Sequence, residues 1–170
     1  MERQLYKYAL LFIVTSLFGY VMEVVGVFLV TGNFQDRGFL DMPLLPIYGF
    51  GSVFLCLALE GKGKTNLQVF FIALMLTTAV EYFSGLALEK IFHQRWWDYS
   101  DYTININGLV SLWSSIGFGI GGLFVVKYVF PVVAKVGDRL SLIGLRIFLS
   151  PLMIVILLNF LLKSFDYLAH

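Results

Sequence analysis

The chain has 170 residues, 59% hydrophobic and only 14% charged, with a formal net charge of +1. A soluble domain carries about 25% charged residues, so the composition excludes an ordinary water-soluble globule, and the near-neutral charge argues against a nucleic-acid partner. The single cysteine, Cys56, excludes an intrachain disulfide and reads as a small buried hydrophobe.

Five apolar segments follow one another, over residues 8–30, 44–59, 67–88, 109–133 and 140–162. Four reach the length of about 20 residues that a spanning helix needs. The second is shorter and contains Pro46, Gly49 and Gly51, so a thin, tilted or partly unwound span is expected. The first is longer than the apolar core of a cleaved signal peptide and no small-x-small cleavage site follows it. The pattern predicts an all-α, polytopic transmembrane helix bundle of about five spans, forming one transmembrane domain over residues 1–170. Pro151 interrupts the fifth span and frees the carbonyl near Ile147, which predicts a kink.

Lysine and arginine in the short loops set the orientation. With the N-terminus in the cytoplasm, seven positive residues fall inside (Arg3, Lys7, Lys62, Lys64, Lys127, Lys135, Arg139) and four outside (Arg37, Lys90, Arg95, Lys163). Arg146 can snorkel inward. The reading is a multi-pass protein of the cell membrane, with membrane lipids as its immediate partners and its main polar loops outside. The inner loops, 60–66 and 134–139, read as connectors. The outer loops, 33–41 and 90–108, hold nearly all the unusual residues.

Carboxylates at membrane depth are expensive and mark functional positions. Glu23 shares a helical face with Gly19 and Gly26, small residues that let a neighbouring helix approach. Glu81 and Glu89 are eight residues apart, about 80° around a helix, with Gly85 between them. Glu89 can equally be interfacial, and Glu81 can equally be a structural hydrogen-bond partner. Glu23 and Glu81 are expected to face the interior close to one another. Arg37 can clamp a carboxylate or phosphate, or pair with Glu23 or Glu81. Trp96 and Trp97 suit an interfacial anchor, and Asp98 beside them is expected to have a raised pKa. Asn105, Asn107 and Gly108 predict a tight turn. Ser114 and Ser115 are placed about two turns below the outer loop, as pocket wall or interhelical glue. The loop from Arg95 to Gly108 is too apolar for a free linker and should fold back over the helices.

Two motifs are decoys. Gly63-Lys64-Thr65 lacks the first glycine and the strand–loop–helix context of a phosphate loop. The glycines from Gly117 to Gly122 lie inside an apolar span, where Gly117 and Gly121 form a small-xxx-small pair for helix packing. His93, Glu89 and Asp98 have no recognised metal spacing, so neither a metal nor a cofactor is expected.

The blocks Gly19-Tyr20-Val21-Met22-Glu23, Arg37-Gly38-Phe39-Leu40, Pro46-Ile47-Tyr48-Gly49-Phe50-Gly51, Glu81-Tyr82-x-Ser84-Gly85, Glu89, Trp97-Asp98-Tyr99-Ser100 and Asn105-Ile106-Asn107-Gly108 stand in one order over most of residues 19–122. In this set the chain resembles the putative ABC-transporter permease family of the CmpB type. The resemblance implies a multi-span helical membrane protein with a transport role, although the chain carries no ATPase of its own. The candidates for substrate binding or for proton or ion coupling are Glu23, Arg37, Tyr48, Glu81, Tyr82, Glu89, Trp97, Asp98, Tyr99, Asn105 and Asn107.

Three functional classes stay open. One is a small permease or substrate-binding membrane subunit with an outward-facing acidic pocket, working as a homo-oligomer or with a partner membrane subunit. Another is an intramembrane enzyme acting on a lipid headgroup or lipid-linked substrate, with Glu81 or Asp98 as acid or base. The third is a non-catalytic partner protein whose polar cluster fixes helix packing.

Overall fold

The computed structural model describes residues 1–36, 38–59 and 63–169. Its helices are α1 (Glu2–Thr31), α2 (Pro46–Leu59), α3 (Asn66–Phe92), α4 (Leu112–Phe124), α5 (Phe130–Arg139) and α6 (Leu142–Ala169). A π-helical turn, Val125–Val129, joins α4 to α5, so Leu112–Arg139 forms one long helical stretch. Four helical stretches, Glu2–Thr31, Asn66–Phe92, Leu112–Arg139 and Leu142–Leu168, are long and apolar enough to cross a membrane. The protein is thus an all-α helical protein of membrane type. Helix α2 has 14 residues, about 21 Å, against a hydrocarbon core of about 30 Å. It is the short element that Pro46 and the glycines imply.

The helix ends follow local chemistry. Gly32 takes a left-handed conformation (φ 71°) and its N–H closes α1 on the Phe28 carbonyl at 2.8 Å, the usual glycine stop. Thr65 and Gln68 form a reciprocal capping box that starts α3. Gly63-Lys64-Thr65 therefore leads into a helix N-terminus. Pro151 lies inside α6, which continues through it.

The chain packs as two compact units, Met1–Phe50 with Val132–His170, and Gly51–Pro131. In the first unit, one face of α1 is buried through Tyr8, Leu11, Phe12, Thr15, Ser16 and Gly19. A Cβ on Gly49 would strike Phe12 and Ser16, and a Cβ on Gly19 would strike the Tyr48 ring. Gly26, expected at a close helix approach, has nothing within 4 Å. Phe39 stacks on Tyr167 with ring centroids 5.5 Å apart, and Asp41 pairs with Lys163 at 2.6 Å. At the opposite end of α1, Arg3 donates to the carbonyls of Gly137 (2.7 Å) and Leu140 (2.9 Å). Glu2 takes both arms of Arg146, and Lys7 pairs with Asp138 at 2.7 Å. Residues 134–139 are therefore not the simple connector the sequence suggests. They continue α5, because Arg3 satisfies carbonyls that a helix end leaves open.

The second unit is built on antiparallel α3 and α4. Its core joins Leu55, Leu59, Val69 and Ala73, with Leu123 and Val126 packed against them. The close approach uses Gly119, whose absent Cβ would lie 2.8 Å from Phe70, and Gly122, whose Cβ would lie 2.6 Å from that of Ala73. The expected pair, Gly117 and Gly121, has nothing within 4 Å. The packing face is therefore rotated away from that pair. The same face carries the hydrogen bond of Thr78 to Ser115 at 2.8 Å.

Candidate functional site

In the second unit, the segment after α3 folds back along that helix. Its hairpin pairs β1 (Asn105–Ile106) with β2 (Val110–Ser111) in antiparallel register, Ile106 opposite Val110. The Leu109 N–H closes the turn on the Ile106 carbonyl at 3.0 Å. Asn107 (φ 54°) and Gly108 (φ 69°) both have positive φ, the Asn-Gly combination that matches the twist of a hairpin. The predicted turn is present, and Val110 and Ser111 belong to a strand where the start of the fourth span was expected.

Three side chains of the fold-back dock on α3. The Tyr99 hydroxyl donates to Glu81 Oε1 at 3.0 Å, and the Asn107 amide donates to the Tyr82 hydroxyl at 3.0 Å. The Trp97 indole N–H donates to the Leu109 carbonyl at 2.9 Å, and its ring lies about 3.0 Å from where a Gly85 Cβ would sit. Glu81, Tyr82 and Gly85 of the α3 motif form a docking strip for the hairpin, whereas the Ser84 hydroxyl donates to the Val80 carbonyl of its own helix. Asn105 works inside the hairpin, accepting from the Gly108 N–H and donating to the Tyr102 carbonyl.

Glu81 is only 4% exposed. Its second oxygen, Oε2, accepts from the Ser114 hydroxyl at 3.2 Å. Ser114 also forms a capping box with Ser111 at the start of α4, which brings the positive end of that helix dipole beside the carboxylate. Ser114 thus sits in the first turn of α4, not two turns into the span. The Ser-x-x-Ser spacing at 111 and 114, a cap signal, is what the sequence reading passed over.

Nearer the end of α3, Arg95 bridges Glu89 (2.9 Å) and Asp98 (3.5 Å). Asp98 also accepts from the Ser100 hydroxyl at 2.6 Å and the Ser100 N–H at 2.9 Å. These hydrogen bonds, the Ser100 hydroxyl foremost, and the neighbouring guanidinium hold the Asp98 pKa below the ordinary aspartate value. The expected rise beside the indoles does not occur, because Asp98 turns to Ser100 and Arg95 in an exposed position. Glu89 raises the Arg95 pKa. Among the described residues, no group of three or more His, Cys, Asp and Glu side chains could hold a metal.

In the first unit, Tyr48 donates to Glu23 Oε1 at 2.7 Å, so Glu23 faces a protein neighbour. Asp41 and Asn159 join through the Asp41 N–H at 3.1 Å, and Lys163 lowers the Asp41 pKa. Arg37 lies outside the described residues.

A family model described as "Putative ABC-transporter type IV" matches residues 10–164. The chain belongs to that family. No curated protein and no solved structure matches it. Membership in the Putative ABC-transporter type IV family, with four apolar helices of spanning length, makes this a transport-related membrane protein.

Proposed function

We propose that the protein is a small membrane subunit of a transport system, a permease or a substrate-binding component, in which Glu81 takes up a proton or a small cation. The observation that carries this reading is the burial of Glu81, 4% exposed, in a helix of spanning length. A charged group there is costly unless its chemistry is used or compensated.

The cluster suits both charge states. Tyr99 and Ser114 offer one hydroxyl to each oxygen of a charged Glu81. The Ser114 hydroxyl has one proton, within reach of the Glu81 Oε2 at 3.2 Å and the Ser111 carbonyl at 2.9 Å. Once Glu81 is protonated, its own O–H can donate to Ser114 while Ser114 turns to Ser111. One hydroxyl rotation accommodates the change. Glu23, held by Tyr48, is the second acidic position, and Arg37 is the candidate for an anionic group on the solute. With the N-terminus in the cytoplasm, as the lysine and arginine bias favours, the hairpin end of α3 faces outside the cell. A second copy or a partner membrane subunit completes the transporter.

The test is solute flux in sealed proteoliposomes under an imposed pH gradient. Glu81→Gln keeps the shape of the side chain and removes its charge; its amide oxygen can still accept from Tyr99, and its amide N–H can donate to Ser114 once that hydroxyl turns to Ser111. Loss of gradient-driven flux with the melting temperature retained is the expected outcome, and wild-type flux in Glu81→Gln would overturn the reading. A structural reading is favoured by the number of α3 positions that touch the hairpin. It predicts a large drop in melting temperature for Glu81→Gln, and no solute or ion that stabilises the wild type by mass action.

A further inference from the structure

The hairpin lies deep along α3. Asn107 bonds Tyr82, ten residues before the helix end at Phe92, about 15 Å along the axis. The charged pair Glu89-Lys90 bounds the apolar run of α3 on that side, and Tyr82 lies about seven residues below it, roughly 10 Å into the span. The start of α4 is at the same depth, since Ser114 meets Glu81 and Ser115 meets Thr78. The fold-back therefore occupies the layer that the outermost turns of α4 would have filled.

Its two sides differ. Tyr99, Trp97 and Asn107 face α3 through the contacts already described. Ile104, just before β1, and Ile106, within it, are 61% and 58% exposed. Leu112 is held opposite Ile104 by its N–H on the Ile104 carbonyl at 3.1 Å. Leu112 and Trp113 are exposed and begin the exposed apolar stripe of α4 that continues through Ile120 and Phe124. The apolar face of the hairpin is thus continuous with the face that a spanning helix turns to lipid.

We infer that the hairpin is re-entrant, with Ile104 and Ile106 inserted among the acyl chains of the leaflet at the C-terminal end of α3. Non-helical backbone survives at that depth only when its polar groups are satisfied within the protein. The bonds Tyr99 N–H to Gly108 carbonyl (2.8 Å), Tyr102 N–H to Tyr99 carbonyl (3.0 Å), and Gly108 N–H to the Asn105 side chain (2.9 Å) satisfy part of this backbone within the protein. The occupant of the exposed face is the bilayer, by continuity with α4. The inference holds whichever way the protein is oriented and does not depend on transport.

The wild-type protein, reconstituted in phosphatidylcholine vesicles carrying a trace of diazirine-acyl phosphatidylcholine, is irradiated and its adducts are mapped by mass spectrometry. Adducts on Ile104 and Ile106, and none on Asp101, are expected. Independently, Ile104→Cys, Ile106→Cys and Asp101→Cys are made on a Cys56→Ala background and labelled with a polarity-sensitive fluorophore. Blue-shifted emission quenched by spin-labelled lipid at 104 and 106, against iodide-quenched emission at 101, supports the insertion. Iodide quenching at all three positions overturns it. So does shielding of 104 and 106 from both quenchers with crosslinks between copies, which would give that face to a second chain.

Discussion

The glycine register of α4 gives the sharpest test of the fold, because adjacent residues should respond differently to the same substitution. Gly122→Ala places a methyl 2.6 Å from the Cβ of Ala73 and 2.8 Å from Cδ2 of Leu55. Carbon atoms in good contact sit about 3.5–4.0 Å apart. Ala73 is fully buried and its Cβ cannot rotate away, so α3 and α4 must part by roughly an ångström. Overpacking of this kind costs about 1–3 kcal/mol. Gly121→Ala meets nothing within 4 Å. Both variants gain the same helix propensity, about 1 kcal/mol. Their difference, about 1–3 kcal/mol in favour of Gly121→Ala, is therefore packing alone. Thermal unfolding in one detergent, read by intrinsic fluorescence, should place Gly121→Ala at or above the wild type and Gly122→Ala several degrees below Gly121→Ala. Equal melting temperatures, or a larger loss for Gly121→Ala, would refute the α3–α4 packing and restore the Gly117–Gly121 seam.

Two further outcomes are expected. The folded-state pKa of Asp98 is lowered, first by the Ser100 hydroxyl and then by the Ser100 N–H and Arg95. Its stabilising contribution is therefore present above the unfolded value of about 3.9 and lost as pH falls through the lower folded value. Asp98→Asn should flatten the acid limb of melting temperature against pH below about pH 4 and leave the neutral limb parallel to wild type. An unchanged acid limb would contradict the assignment. Gly108→Ala forces a Cβ onto a residue at φ 69°, within 2.5–2.8 Å of Ser100 Oγ, Asp98 Oδ1 and Arg95. The left-handed conformation alone costs about 1–2 kcal/mol. Hydrogen exchange at the Tyr99 amide, which the Gly108 carbonyl holds at 2.8 Å, should accelerate, and unchanged protection there would count against the hairpin.

The helices were legible in the sequence because hydrocarbon demands long apolar runs, and the run of residues 67–88 names α3 directly. The faces were harder. In a membrane helix the side chains toward lipid are as apolar as those toward protein, so no amphipathic signal separates Gly117 and Gly121 from Gly119 and Gly122. That is why the small-residue spacing pointed to the wrong stripe. The Asn-Gly turn was readable from two residues, since φ above zero has few takers. The state of Asp98 was not readable, because it depends on Ser100 and Arg95 closing around one oxygen. Residues 134–139 looked like a loop for want of a visible stop, while Arg3, 134 residues away in sequence, satisfies the carbonyl of Gly137.

The same geometry sorts the motif residues of the fold-back by what each has left to do. Trp97 holds the Leu109 carbonyl, Asn105 the Gly108 amide, Asn107 the Tyr82 hydroxyl, and Asp98 the Ser100 turn. Each of these satisfies a polar group that membrane depth or a tight turn would otherwise leave open. An apolar residue at position 81 would spare the desolvation of an ionisable group but would take the acceptor from the Tyr99 hydroxyl. On the function proposed above, Glu81 is the member of the seam where a change of charge would be felt by both α4, through Ser114, and the hairpin, through Tyr99.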